Sequence, residues 1–298
     1  MVMNEPEHNG GAHGAKNGAQ SRPRLSWLEQ DAIIRLWNEL AEFSASSPHE
    51  ALNHCLSTLA RLVSGVNALW VGAARDKDWE RTSPSDPLLG WRPHASMHLY
   101  PEEAWRRANA MAIAAARSNR FDPHTVALAG RFGRHRSHLR EELVSGRELK
   151  KDWMHHEVLR PLGIGDRMVC AFAAAPGAES YLIFDRECGK RRFGQRERDV
   201  LAFFLRGGAQ MHRELLQAHG LLGAMQPLSR REREVLRLLL TGVSEREIAQ
   251  ALGLAFATTH QYVGALLRKF GAGSRAELMA QWLRHLAPSP FVHRDSSI

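Results

Sequence analysis

Between Phe256 and Phe270 the chain reads FATTHQYVGALLRKF, and two kinds of residue recur through it at helical spacing. Thr259, Val263, Leu266 and Phe270 stand at i, i+4, i+7 and i+11, a single stripe that a packed helix would bury. His260, Gln261, Gly264 and Arg268 stand at i, i+1, i+4 and i+8 on the remaining side, with Lys269 beside them. An amide that donates and accepts, an imidazole that does either, a gap with no side chain and two cations suit hydrogen bonding along a polyanion. Gln can pair with adenine N6 and N7, His can meet base edges, and Thr258, Arg268 and Lys269 can reach phosphates. The surface expected here is therefore one that enters a DNA groove, with Gly264 permitting close approach. That interior Gly costs roughly 1 kcal/mol of helix propensity relative to Ala.

The elements needed to hold such a face are announced by their caps. Ser229 to Glu232, Ser244 to Glu247 and Ser274 to Glu277 each have capping-box spacing, Ser at N-cap and Glu at N3. Gly242 and Gly271 stand where helices should stop, and Gly253 separates the second helix from the third. Four short helices are predicted, at about 230–241, 245–252, 256–270 and 275–286. A short helix, a turn of three or four residues and a second helix form the helix-turn-helix unit, whose second helix lies in the major groove. Residues 226–286 hold nine Arg and Lys against five Glu, so half of the formal net charge of +8 falls in about a fifth of the chain.

PLSRREREVLRLLLTGVSEREIAQALGLAFATTHQYVGALLRKFGAGSRAEL resembles the C-terminal DNA-binding domain of LuxR-type transcriptional regulators. The matching elements are Leu-Ser-x-Arg-Glu-x-Glu-Val-Leu, Gly-x-Ser-x-x-Glu-Ile-Ala, Lys-Phe-Gly and Ser-Arg-x-Glu-Leu. The resemblance implies that the third of four helices reads the major groove and that the fourth commonly mediates dimer contact. It further implies base-edge contacts from His260, Gln261 and the position of Gly264, and phosphate contacts from Thr258, Arg268, Lys269 and Arg275. Glu232 and Glu247 would have capping and structural roles. The sequence departs from the pattern at Thr259, where Val is usual and a hydroxyl must find a backbone acceptor, and at Ala255, where Ser or Thr caps the helix. Loss of such a cap typically costs about 1 kcal/mol. Tyr262 beside His260 resembles a Thr-x-His-x-Tyr-Val variant within the family.

The rest of the 298-residue chain leaves room for about one more domain. Residues 1–24, rich in Gly, Asn, Ala, His and Pro, read as a disordered tail. Helices are predicted from Ser26 to Phe43, at 48–64, at 101–118, at 147–160 and at 195–217. Strands are predicted at 66–74, 167–176 and 179–186, the last two joined by a tight turn at Gly177. Residues 75–96 read as a long loop. The fold class expected is an α+β domain, an antiparallel sheet packed by helices, followed by an all-α helix-turn-helix domain. Its divisions are a sensory or dimerisation domain at 25–217, a linker at 218–225 marked by Gly220 and Gly223, the DNA-binding domain at 226–286 and a tail at 287–298.

The segment from Trp153 to Leu215 is broadly similar to the end of a GAF-like sensor domain, a fold used for ligand sensing and for dimerisation. Trp70, Trp91, Trp105 and Trp153 could line a pocket, although large aromatics are more often plain core. His135 with His138, and His155 with His156, lack a Cys or carboxylate at metal-ligand spacing, so no metal or cofactor is expected. Cys55, Cys170 and Cys188 match no zinc or disulfide framework. The basic run 190–192 with Arg196 and Arg198 reads as a solvated face. No nucleophile and base pair or phosphate loop stands at diagnostic spacing, which argues against an enzyme. With no secretory signal and no run of roughly 18 to 20 apolar residues, a cytoplasmic protein away from membranes is expected. The sequence thus predicts a dimeric transcriptional regulator that binds double-stranded DNA, with a small-molecule effector and RNA polymerase as further partners. The alternative is a protein-interaction adaptor with a degenerate helix-turn-helix module.

Overall fold

The computed structural model describes residues 25–43, 47–76, 78–100, 102–224 and 226–286. The tails expected at 1–24 and 287–298 lie outside these residues. The chain opens with α1 (Trp27–Ala41), capped reciprocally by Ser26 and Glu29, and α2 (Pro48–Leu62). There follow β1 (Asn67–Arg75), α3 (Trp79–Thr82), β2 (Trp91–His98), α4 (Glu103–Arg117), α5 (Pro123–Ala129) and β3 (Arg136–Leu139). Two short turns, α6 (Arg140–Leu143) and α7 (Gly146–Leu149), lead through a π-helical turn at Met154–Leu159 to β4 (Ile164–Ala175) and β5 (Ala178–Glu187). Then come α8 (Gln195–Gly207), α9 (Ala209–Ala218), α10 (Arg230–Leu240), α11 (Glu245–Leu252), α12 (Phe256–Phe270) and α13 (Arg275–Leu286).

The five strands form one antiparallel sheet in the order β2-β1-β5-β4-β3. Alternation along the strands sends side chains to opposite faces. Trp70, Met168, Cys170, Phe172, Leu182 and Phe184 pack against Ile33, Leu56, Val200, Phe204 and Leu215 of α1, α2, α8 and α9. Ala73, Val169, Ala171 and Tyr181 point the other way, toward Leu128 and Ala129 of α5. A third apolar cluster, built on Val235, Leu239, Ile248, Leu266, Phe270 and Leu278, holds α10 to α13 together. The structure is thus an α+β part with one sheet, followed by a four-helix part.

Three expectations are corrected. The loop expected at 75–96 contains α3 and begins β2. Pro93 hid the strand, since Pro cannot donate to a ladder and is confined to edges and bulges. Here it sits on an edge strand, where the register slips between Gly72 and Ala73. The helix expected over 147–160 stops at Leu149; the Asp152 carboxylate takes the Met154 N–H (2.9 Å) and starts a separate turn. The single helix expected over 195–217 breaks at Gly208. Trp37 of α1 packs so closely on Gly207 that a Cβ there would lie 2.4 Å from the indole, and its Nε1 donates to the Phe204 carbonyl (3.1 Å).

The segment after α9 is tightly folded. Leu228 N donates to His219 O (3.0 Å), and Gly220, at φ +72°, turns the chain so closely that a Cβ would meet Leu228 Cγ at 2.7 Å. The Gln217 side chain donates to the Trp282 carbonyl of α13 (3.2 Å).

Candidate nucleic-acid interface and the sheet-side cleft

Ser229 and Ser244 form their capping boxes. Glu232 N and Glu247 N each lie 3.3 Å from the Ser hydroxyl, and each Ser N–H reaches the Glu carboxylate at 2.7 Å. The third is half formed: Ser274 Oγ accepts from Glu277 N (3.2 Å), but the Glu277 carboxylate takes Gly273 N (2.8 Å) instead. Gly253 ends α11 in the left-handed conformation (φ 63°, ψ 36°), and Leu254 N returns to Ala249 O (2.9 Å). That turn of Gly253, Leu254 and Ala255 delivers α12. Ala255 offers no side-chain cap, and the buried Thr259 hydroxyl finds its acceptor in the Ala255 carbonyl (3.3 Å).

α12 buries Thr259, Val263, Leu266 and Phe270. His260, Gln261 and Arg268 are exposed, while Thr258 and Gly264 are half-buried on its flanks. His260 is 72% exposed, and its Nδ1 lies 2.9 Å from the carboxylate of Glu245 in the first turn of α11. A Cβ at Gly264 would meet only the tip of Arg268, at 3.4 Å. The two other cations singled out from the sequence are engaged internally. Lys269 Nζ donates to Glu232 (2.8 Å) and to Pro227 O (3.0 Å). The Arg275 guanidinium donates to Val243 O (2.8 Å) and Leu239 O (2.6 Å), carbonyls at and just beyond the end of α10. Sequence reasoning missed Phe256, 54% exposed and stacked 6.4 Å from His260, although its i−4 spacing places it on the same face. It also passed over Arg246, exposed on α11 and, among the described residues, making no ion pair.

The model of the family described as bacterial regulatory proteins, luxR family, matches residues 226–281. The C-terminal domain belongs to that family. A protein of Aeromonas salmonicida described as an HTH-type transcriptional regulator in the exeN 3' region is 44% identical over 63 residues, 21% of this chain and 32% of that protein. GfsR of Streptomyces halstedii, described as an HTH-type transcriptional regulator, is 40% identical over 58 residues, 20% of this chain and 24% of that protein. The chain therefore covers only about a third or less of these relatives, and the similarity lies in the luxR-family domain. Two solved structures align over 85% of this chain at 16% identity: SdiA in complex with octanoyl-rac-glycerol, TM-score 0.45 and 93% of that chain, and Escherichia coli SdiA, TM-score 0.44 and 96%.

Ahead of the luxR-family domain, the sheet face opposite α1 and α2 holds a cleft of about 310 Å³ between the strands, α4 and α5. Val71, Trp91, Tyr181, Ile113 and Leu128 line it. Trp91 is 4% exposed, and its indole N–H has no hydrogen-bond partner. Of the four tryptophans read as either pocket lining or plain core, Trp91 lines this cleft. Trp70 is in the opposite core, Trp105 lies 5.7 Å from the His98 ring, and Trp153 lies 4.5 Å beneath the Arg120 guanidinium. His135 stacks on Phe172 (4.3 Å), whereas His138 turns toward Glu142 (3.7 Å). Among the described residues no group of three or more His, Cys, Asp or Glu could hold a metal ion, and no helix is long and apolar enough to cross a membrane. Arg191, Arg196 and Arg198 each face a carboxylate, of Glu197, Glu29 and Glu142 respectively.

Proposed function

We propose that the chain is a transcriptional regulator that binds double-stranded DNA, with α12 in the major groove and the sheet-bearing part governing it. The carrying observation is that α12 keeps its apolar stripe against α10 and α11 while His260, Gln261 and Arg268 face outward. In this reading Gln261 and His260 meet base edges, Phe256 offers an apolar contact to a thymine methyl, Gly264 allows close approach, and Arg268, Arg246 and Thr258 meet phosphates. Lys269 and Arg275 mainly brace the domain, and reach phosphate only by giving up internal bonds. The protein works as a dimer in the cytoplasm and acts on RNA polymerase. The cleft beside Trp91, with an unpaired donor at an apolar wall, takes a mostly apolar small molecule bearing a carbonyl-type acceptor. The part read from the sequence as GAF-like then serves sensing and dimerisation.

The test is binding to a duplex selected from a random pool, compared with unselected duplex. Gln261→Ala is expected to relax preference at one base pair by roughly 1–3 kcal/mol, whereas Arg268→Ala weakens both duplexes alike and flattens the salt slope by about one. Equal losses on both duplexes for both variants would overturn the assignment of α12.

A further inference from the structure

The junction between the two parts encloses a second cleft, of about 200 Å³. It is lined by Pro48 and His49 from the first turn of α2, by Arg230, Arg233 and Arg237 of α10, and by Trp282 of α13. The three arginines stand at i, i+3 and i+7, one face of α10. Glu234 also lines the cleft, but its carboxylate already faces Arg230 (3.0 Å) and Arg231 (2.7 Å). Arg233 gives one bond to the Leu228 carbonyl (2.9 Å). Arg237 is exposed and, among the described residues, has neither a hydrogen bond nor an ion pair.

Two further features sharpen this positive field. The N-cap Ser47 makes no side-chain bond to α2; Pro48 has no N–H and Glu50 N is taken by Ser47 O (3.1 Å), so the His49 N–H is the donor that the first turn offers the cleft, with the Glu50 carboxylate in the same turn. His49 is held below the usual imidazole range by burial, then by Arg233 and Arg237, which keeps it neutral and able to accept or donate. The independent sign of a ligand is Trp282. It is 3% exposed and lines the cleft, and its indole N–H has no partner. Buried donors are nearly always paired, and an acceptor in the cleft would satisfy this one.

We propose that the junction cleft binds a small free anion carrying a phosphate or carboxylate group, held by Arg237, Arg233, the first turn of α2 and the Trp282 indole N–H. Guanidinium forks match both oxyanions. A duplex phosphate resting on the outer surface does not reach a donor so deeply covered, whereas an ion of a few atoms fits the volume. Its occupant ties α2 of the sheet-bearing part to α10 of the luxR-family domain. The assignment is independent of what α12 reads.

The full chain, labelled with nitrogen-15, tests this by titration with inorganic phosphate and with citrate against chloride at matched ionic strength. The Trp282 indole resonance, assigned through W282F, is expected to move saturably with one of the two anions and not with chloride. Arg237→Gln is expected to weaken that titration by about tenfold or more. The absence of a saturable shift in the wild-type chain at millimolar anion overturns the proposal without recourse to any variant. So does an Arg237→Gln titration identical to wild type. A third overturning result is a silent anion titration accompanied by weaker duplex binding in Arg237→Gln, which assigns the arginine to nucleic acid instead.

Discussion

Arg268 and Lys269 are neighbours in sequence and opposites in circumstance. Arg268 is exposed on the outward face, whereas Lys269 folds back onto Glu232 of α10. Burial pushes the Glu232 carboxyl up, but the hydrogen bonds from Lys269 and Ser229 outweigh it and hold the group below its ordinary value. That pairing contributes stability above the unfolded carboxylate range and loses it as pH falls through the lowered value. Lys269→Met leaves Glu232 without its cation and is expected to cost about 1–3 kcal/mol in urea unfolding at neutral pH, a cost that shrinks on acidification. Gly264→Ala works in the other direction. With only the flexible tip of Arg268 in its way, the methyl should stabilise α12 by up to about 1 kcal/mol while weakening duplex binding. A variant that gained stability and kept full affinity would remove Gly264 from the contact surface. Spacing alone separated the buried stripe of α12 from its polar face. It did not show that Lys269 is already spoken for, because its acceptors lie 37 and 42 residues away in the chain.

At the scale of elements, the four helices of the luxR-family domain were legible because the ends of α10 and α11, the end of α12 and the start of α13 have local chemical causes: a Ser that takes a backbone N–H, or a Gly that turns left-handed. The exception predicts its own remedy. Ala255→Ser supplies the side-chain acceptor that α12 lacks and is expected to raise the unfolding free energy by about 1 kcal/mol. No gain in denaturant midpoint would show that solvent already satisfies the free N–H groups of the first turn of α12. In the sheet-bearing part, β4 and β5 were legible as two apolar runs joined by a tight turn. β2 was not, since an edge strand carrying Pro93 needs β1 as a template. The break between α8 and α9 was equally hidden. It depends on Trp37 arriving from α1, a tertiary contact that helical periodicity does not encode.

At the scale of the whole molecule, the sheet core contains a polar thread. Ser180 Oγ accepts from Trp70 Nε1 (2.7 Å) and shares a second hydrogen bond with His212 Nδ1 (2.7 Å). Complete burial, then His135, pushes His212 down to about 3, and burial brings His219 to about 4. Both groups are neutral when folded and charge readily when unfolded near their ordinary value of 6.5. Stability from them is present above that pH and is lost as pH falls toward 4. Chemical denaturation is expected to show a falling midpoint across that window, less steep in His212→Phe; identical slopes would mean that His212 is protonated in the native core. The α9 helix carries that histidine, and its Met211, Leu215 and Leu216 belong to the sheet core. Its last residue, Ala218, packs instead into the helical cluster beyond. One ten-residue rod is thus a structural member of two hydrophobic interiors, so calorimetry should record a single cooperative melting event in place of two, and loosening either interior should soften the other.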